Sequence, residues 1–284
     1  MKRFILAGLI CFTACPACAW LQEGHSIVAE IAQRRLAHDA PAIASKIQNI
    51  LGPGVSMASI ASWADDYKWQ NPATQRWHFV AIPIADDDYD PSKECVASAE
   101  GDCIIAELDR LKSQVRCAKG DDQKKALMLA VHFVGDLHQP LHTVRESRGG
   151  TEIKVQVSMH GARCAACPIT TVSDDLGDTW NGTLINKTVW NWGNYVTRLE
   201  NGWLKDHDVQ GFGVDGGGPV QWAVETHRVA QEIWKLTPED KILDEDYYNH
   251  VLALLDQQLG LASLRLTRFL EEALGSDECP ATSP

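Results

Sequence analysis

Between Ala126 and Val134 the stretch 123 to 138 is apolar nearly all round, yet it carries His132 and Asp136 four residues apart. A helix without a polar face has to be buried, and i, i+4 spacing puts both side chains on one side, a turn apart. Burying an imidazole and a carboxylate is costly unless each finds a partner. Two arrangements meet that condition: a His–Asp hydrogen bond closed within the core, or ligation of a metal. The helix runs out at Gln139-Pro140, with His138 and His142 flanking the break.

Helical periodicity dominates the rest of the chain. Ser26 to Leu36 carries Ile27, Val28, Ile31 and Leu36 at helical spacing, and Ile104 to Val115 does so with Ile105, Leu108, Leu111 and Val115. Trp222 to Trp234 is amphipathic, and leucines recur from Asp246 to Leu274. Thr237-Pro238-Glu239-Asp240 has the form of a helix start with proline in the first turn. Ile153-Lys154-Val155-Gln156-Val157 alternates after Gly149-Gly150 and predicts one strand of a small β-hairpin. Ser158 to Asp175 and the glycine-rich stretch 211–219 read as loops. Neither is long enough to separate domains, so residues 20–284 are expected to form a single, mostly α domain.

Residues 1–19 have a basic start (Lys2, Arg3), an apolar stretch from Phe4 to Ala14 and a small-residue ending, Ala17-Cys18-Ala19. This is the form of a cleavable signal peptide, and its apolar run falls short of the ~20 residues of a membrane span. The mature chain is therefore expected to be exported, periplasmic or extracellular, without stable membrane association. Phe12-Thr13-Ala14-Cys15 offers the rival reading of a lipoprotein leader, although it lacks the usual leucine at its start. Cleavage after Ala19 frees the α-amino group of Trp20, which can chelate a metal together with its own carbonyl oxygen; His25 follows five residues on.

Beyond the leader lie Cys95, Cys103, Cys117, Cys164, Cys167 and Cys279, and an even number in an exported chain reads as disulfides. Local pairing favours Cys95–Cys103 and Cys164–Cys167, which leaves Cys117 for Cys279, although sequence alone allows fifteen connectivities. The formal charge of −12 excludes a broad basic footprint for duplex nucleic acid. Any phosphate chemistry is then expected to draw its positive charge from bound metal.

Two further candidate ligands lie upstream of the buried helix. Asp65 closes Ala61-Ser62-Trp63-Ala64-Asp65, and His78 sits in the aromatic run Trp77-His78-Phe79-Val80, which is expected to be strand-like. With Trp20, His25, His132, Asp136 and His142 they make a nitrogen and oxygen donor set without thiolates, the type suited to catalytic zinc. These seven groups exceed what one tetrahedral zinc uses, so at least two metals are expected.

Trp20 with His25, Ser62-Trp63-Ala64-Asp65, Trp77-His78-Phe79, His132-Phe133-Val134-Gly135-Asp136, Gln139-Pro140-Leu141-His142 and Gly149-Gly150 resemble, in order and spacing, the motifs of the S1/P1 nucleases, secreted zinc enzymes. The resemblance covers essentially the whole mature chain. It implies a mostly helical fold of the zinc phospholipase C and S1/P1 nuclease type and hydrolysis of single-stranded DNA and RNA to 5′-phosphate products; the chain is expected to be a monomer. It also implies three zinc ions. Asp65, His78, His132 and Asp136 would hold the first; the Trp20 amine and carbonyl, His25 and Asp136 would hold a second, bridged to the first by Asp136. His142 would begin a third site. Lys68 falls where the family keeps a basic residue facing the transition state, and Phe79 is placed to stack on a base.

The third site departs from the family pattern. Its other ligands normally come from an Asn-Leu-His-x-x-Trp-Asp segment, whereas this chain reads Asp175-Leu176-Gly177-Asp178-Thr179-Trp180-Asn181. Gly177 replaces the histidine and Asn181 the aspartate, so two zinc ions are expected and the third is in question; Asp174, Asp175 and Asp178 are the candidate substitutes. Ala81, where the family carries Asp or Asn, predicts weak base preference. Two rival readings stand beside the nuclease: a zinc phospholipase C-like phosphodiesterase, and a metal-binding relic with weakened catalysis. The Trp-Ala-Asp and Pro-Leu-His contexts favour the nuclease.

Overall fold

A computed structural model describes residues 20–161, 164–207, 217–276 and 278–279. The expected leader 1–19, including Cys15, and most of the glycine-rich stretch 211–219 lie outside the described residues. Eight helices carry the architecture: α1 (Gln22–Asp39), α2 (Pro41–Leu51), α3 (Trp63–Gln70), α4 (Ile104–Cys117), α5 (Gly120–Leu137), α6 (Trp192–Asn201), α7 (Pro219–Leu236) and α8 (Glu245–Leu274). The fold is mostly α, as the periodicity predicts.

Helix α5 is the pivot of the packing. Every residue from Ala126 to Leu137 is buried, because α4 pairs with one side of the helix and α8 covers both. Helix α1 packs along α8 and also touches α5, which brings the start of the described chain to the C-terminal half of α5. Fully burying a side chain such as Leu127 or Phe133 contributes about 1.5–3 kcal/mol. The cohesion of this core therefore supports the two polar residues that interrupt it.

One expected helix start is overturned. Thr237-Pro238 ends α7, and Lys241 N donates to the Pro238 carbonyl in a turn instead of a first helical turn. The next helix begins at Glu245, where the Asp244 carboxylate accepts from the amides of Asp246 and Tyr247 at 3.1 and 3.0 Å. An N-cap that satisfies two orphan amides outweighs a proline that satisfies none.

The expected hairpin is present and larger than its sequence signal. Strands β1 (Lys154–Met159) and β2 (Thr170–Asp175) pair antiparallel, from Lys154 opposite Asp175 to Met159 opposite Thr170. A short β3 (Ile242–Leu243) adds to β1 in parallel, giving the order β2-β1-β3. The reading of 158–175 as loop is thus corrected at both ends. β2 is exposed over most of its length, so no alternation of apolar residues marks it.

The disulfides are Cys95–Cys103, Cys117–Cys279 and Cys164–Cys167, the pairing favoured from local spacing. Cys117–Cys279 ties the end of α4 to the chain beyond α8. Among the described residues no helix is long and apolar enough to cross a membrane.

Candidate metal centre

Five of the sequence-predicted ligands converge at the C-terminal end of α5. His132 and Asp136 project from adjacent turns, and His132 Nε2 lies 3.1 Å from Asp136 Oδ2. α1 delivers His25, whose ring stacks on that of His132 with centroids 4.0 Å apart and whose Nε2 lies 3.3 Å from Asp136 Oδ1. His78 arrives at the end of a 3₁₀ turn, Pro72–His78, with Nδ1 3.0 Å from Asp136 Oδ2. α3 contributes Asp65, whose Oδ1 lies 3.8 Å from His132 Nε2 and 3.9 Å from His78 Nδ1.

The strand expected around Trp77-His78 is therefore corrected to a helical turn, and extended chain begins only after it. Val80 and Ile82 donate to the carbonyls of His142 and Thr143, which ties the His78 segment to the Pro140–Thr143 turn. That pairing brings His142 beside His78: His142 Nδ1 lies 2.9 Å from the His78 carbonyl oxygen. His138, in contrast, is turned toward the core, with Nδ1 2.7 Å from the Val134 carbonyl and Nε2 accepting from Arg265 Nη1 at 3.0 Å.

Gly135 lets the cluster close. A Cβ there would stand 2.9 Å from His25 Nδ1, so only glycine allows the imidazole to lie against α5. The Gly135 carbonyl also accepts from Trp20 Nε1 at 3.0 Å, which anchors a fully buried indole at the head of α1. In the sequence Gly135 is one residue of a motif, and its role rests on a tertiary contact that the motif does not specify. The signal was a glycine between two candidate ligands on an otherwise strong helix former.

Burial and mutual proximity set the charges. Burial lowers His25 and His78, His78 to about 4, so both are neutral imidazoles at ordinary pH. Burial also pulls on His132, but the Asp136 and Asp65 carboxylates prevail and raise it. Burial alone would raise Asp136; His132 and the hydrogen bonds from its imidazole neighbours hold it well below the usual carboxylate range. Burial likewise opposes ionisation of Asp65, and His132 with Lys68 overcome it.

The protein atoms leave this cluster unsatisfied. Nδ1 of His25 and Nε2 of His78 are buried without a hydrogen-bond partner, each at a cost of about 1–3 kcal/mol, while His25 Nε2 and Asp136 Oδ1 face only each other, at 3.3 Å and outside good hydrogen-bond geometry. His132 is oriented from behind: its Nδ1 lies 2.7 Å from the Ala61 carbonyl, which fixes the hydrogen there and leaves Nε2 as the donor atom turned inward. His25, His132 and Asp136 form one group that could hold a metal ion, and Asp65, His78 and His132 a second. This donor chemistry fits zinc.

A cleft of about 330 Å³ opens beside the cluster, and Lys68, Phe79, His142, Gly177 and Asn181 line it. Lys68 is only 2% exposed, and its ammonium donates to Asp65 Oδ1 at 2.7 Å. Gly177 and Asn181, and not the three candidate aspartates, face this space. Asp174, Asp175 and Asp178 do lie close together, but each carboxylate already has local work. Asp174 Oδ2 accepts from Thr179 and Thr183, Asp175 Oδ1 caps the amide of Asp178, and Asp178 Oδ1 accepts from Asn181 Nδ2.

The sequence profile of the S1/P1 Nuclease family matches residues 20–275. Nuclease PA3 of a Penicillium species and Nuclease P1 of Penicillium citrinum are each 27% identical over 91% of this chain and 99% of their own length. Endonuclease 2 of Arabidopsis thaliana is 25% identical over 90% of this chain and 91% of its own. The matched span opens at Trp20 and contains every candidate ligand described above.

Proposed function

Because this chain belongs to the S1/P1 nuclease family, and so is a phosphodiester hydrolase of a zinc-dependent family, we propose that it is an exported endonuclease cleaving single-stranded DNA and RNA to 5′-phosphate products at a zinc pair. The observation that carries this reading is the division of the Asp136 carboxylate: Oδ1 faces His25 at 3.3 Å, while Oδ2 faces His78 and His132 at 3.0 and 3.1 Å. A single carboxylate shared between two imidazole groups suits two cations better than one. Export is supported by the three disulfides.

Asp65, His78, His132 and Asp136 would hold one zinc. The Trp20 amine and carbonyl, His25 and Asp136 would hold the other, once cleavage after Ala19 has freed the amine. When bound, such a pair lowers the pKa of a shared water from about 15.7 toward 7 and clamps the phosphate for in-line attack.

The surrounding residues prepare that site. His25 and His78 stay neutral and keep their lone pairs available, because burial opposes their protonation. Ala61 and Gly135 orient His132 and Trp20 through their carbonyls. Lys68 stands at the boundary between cluster and cleft, where its ammonium can pass from Asp65 to a phosphate oxygen. Phe79 lines the cleft as a stacking face, worth about 1–3 kcal/mol per base and tolerant of base identity. A cleft of about 330 Å³ in a chain of net charge −12 suits a flexible single strand better than a duplex gripped along its length.

The test is product analysis with zinc-loaded, N-terminally processed protein offered single-stranded DNA, RNA, duplex DNA and phosphatidylcholine vesicles. Cleavage of the single strands, with the new phosphate on the 5′ side and at least tenfold slower duplex cleavage, is expected. Preferential release of phosphocholine, or zinc-replete protein that cleaves no strand at any pH, would overturn the proposal in favour of a lipase or a relic.

A further inference from the structure

The far wall of the cleft does not offer the donors that the sequence resemblance implies for a third metal. Gly177 has no side chain to give, and a Cβ there would stand 2.9 Å from Thr151 Cγ2 and 3.2 Å from the Gly149 carbonyl oxygen, so the space beside it is already filled. Asn181 is committed as a neutral amide, accepting from Gln139 Nε2 and donating to Asp178 Oδ1 at 3.2 Å. That leaves His142 as the one strong donor in the set, short of the three or four a protein zinc site uses. The residues present do not fit a third ion.

Positive charge reaches the same cleft by another route. Arg76, Arg145 and Arg148 line the cleft together with Lys68, and Glu100 is the single carboxylate among the lining residues. On a chain with 38 acidic against 26 basic residues, this is a local reversal of sign. It also corrects the expectation that all positive charge for phosphate must come from metal. Clefts lined by one sign of charge concentrate ligands of the other.

Arg148 is the most deliberately placed of these cations. Ser147 and Arg148 have φ of 47° and 52°, and Gly149 and Gly150 continue the left-handed run at 64° and 80°. Residues with a Cβ adopt this region only at an energetic cost, and such strain persists where surrounding contacts enforce it. Here they do. Glu152 N donates to the Ser147 carbonyl, Ile153 N to that of Gly150 and Thr151 Oγ1 to that of Arg148, while a Cβ at Gly149 would meet the Leu141 carbonyl oxygen at 2.6 Å. The same turn abuts Gly177, where the histidine of the family pattern is missing.

Given the nuclease reading above, on which this rests, we infer that Arg148, supported by Arg145 and Arg76, binds a backbone phosphate of the substrate strand on the wall that lacks third-metal donors, so that the chain works with two metals and an arginine-lined phosphate subsite. A guanidinium fork matches two phosphate oxygens and stays charged at every working pH.

The experiment compares wild type, R148A, R148K, R148G and a remote control, R34A, all processed at Trp20. R148A is expected to raise KM for a single-stranded oligonucleotide roughly tenfold, and to flatten the plot of log affinity against log salt by about 0.7. Turnover of bis(4-nitrophenyl) phosphate, which has no second phosphate, should stay within about twofold of wild type, with metal content still two per chain. R148K should recover the salt slope but only part of the KM, because an ammonium lacks the fork. R148G, suited to the left-handed turn, should lose affinity without lowering the melting temperature, an outcome that a purely structural role for Arg148 would not give. Unchanged KM and salt slope in R148A overturn the inference, as does a third zinc per chain. Should wild type cleave nothing, the nuclease reading fails by itself; fluorescence anisotropy with a labelled single strand then decides the arginine subsite separately, a wild-type-like R148A again overturning it.

Discussion

Replacing Gly135 by alanine separates the helix-forming tendency of α5 from the needs of the site it carries. Glycine inside a helix costs roughly 0.5–1 kcal/mol relative to alanine, so by propensity alone G135A stabilises the protein by that amount. The site opposes it. The new Cβ would lie 2.9 Å from His25 Nδ1, 3.3 Å from His25 Cε1 and 3.9 Å from Trp20 Cδ1. His25 cannot retreat, because its other face stacks on His132 with centroids 4.0 Å apart, and Trp20 is tied to the Gly135 carbonyl itself. Overpacking a closed interior costs about 1–3 kcal/mol, which exceeds the propensity gain. G135A is expected to be less stable by about 1–2 kcal/mol in urea denaturation and to bind one zinc ion where two are proposed, losing the ion proposed for His25 and Trp20. A variant more stable than wild type by ~1 kcal/mol, with full metal content, would refute the claim that Gly135 exists to admit His25.

Three further outcomes follow from the same contacts. Burial, aided by Arg265, holds His138 down to about 3, while the unfolded chain titrates near 6.5. Its contribution to the stability of the metal-free protein is therefore complete above pH 6.5 and is lost as pH falls toward 3. H138Q should flatten that acid limb of a urea-midpoint profile, and an unchanged slope would count against it. Removing Cys117–Cys279, which closes 162 residues of separation, should cost up to about 5 kcal/mol in the chain-entropy treatment, far more than removing Cys164–Cys167 with its separation of 3; paired thermal melts of the alanine double mutants decide it. The double substitution G177H/N181D, which restores the family pattern in sequence, should not raise zinc content by a full equivalent, because Thr151 and the Gly149 carbonyl occupy the required space.

Much of the centre is legible in the sequence, for a physical reason. His132 and Asp136 are polar residues on a helix that has no solvent face, so they had to meet partners, and their spacing fixed which face those partners would share. The covering by α4 and α8 bears this out. What escaped reading depends on tertiary context. β2 is an exposed strand without alternation, so its Thr170-Thr171-Val172 looked like loop. Pro238 has the chemistry of a helix start, yet the cap at Asp244 determines where α8 begins. His78 belongs to a turn set by Pro72 and the pairing of Val80 with His142, a contact across 62 positions that no local window can register. Arg148 escapes for a related reason: net charge counts basic residues without saying that three arginines line one cleft.

Cleavage after Ala19 would expose the Trp20 amine and so complete the proposed site for a metal pair around Asp136. Atomic emission on gently purified protein, with Trp20 verified as the first residue by N-terminal sequencing, tests it directly. Two zinc ions per chain are predicted. Protein that starts at Trp20 and retains one zinc or none after zinc is supplied would contradict the account.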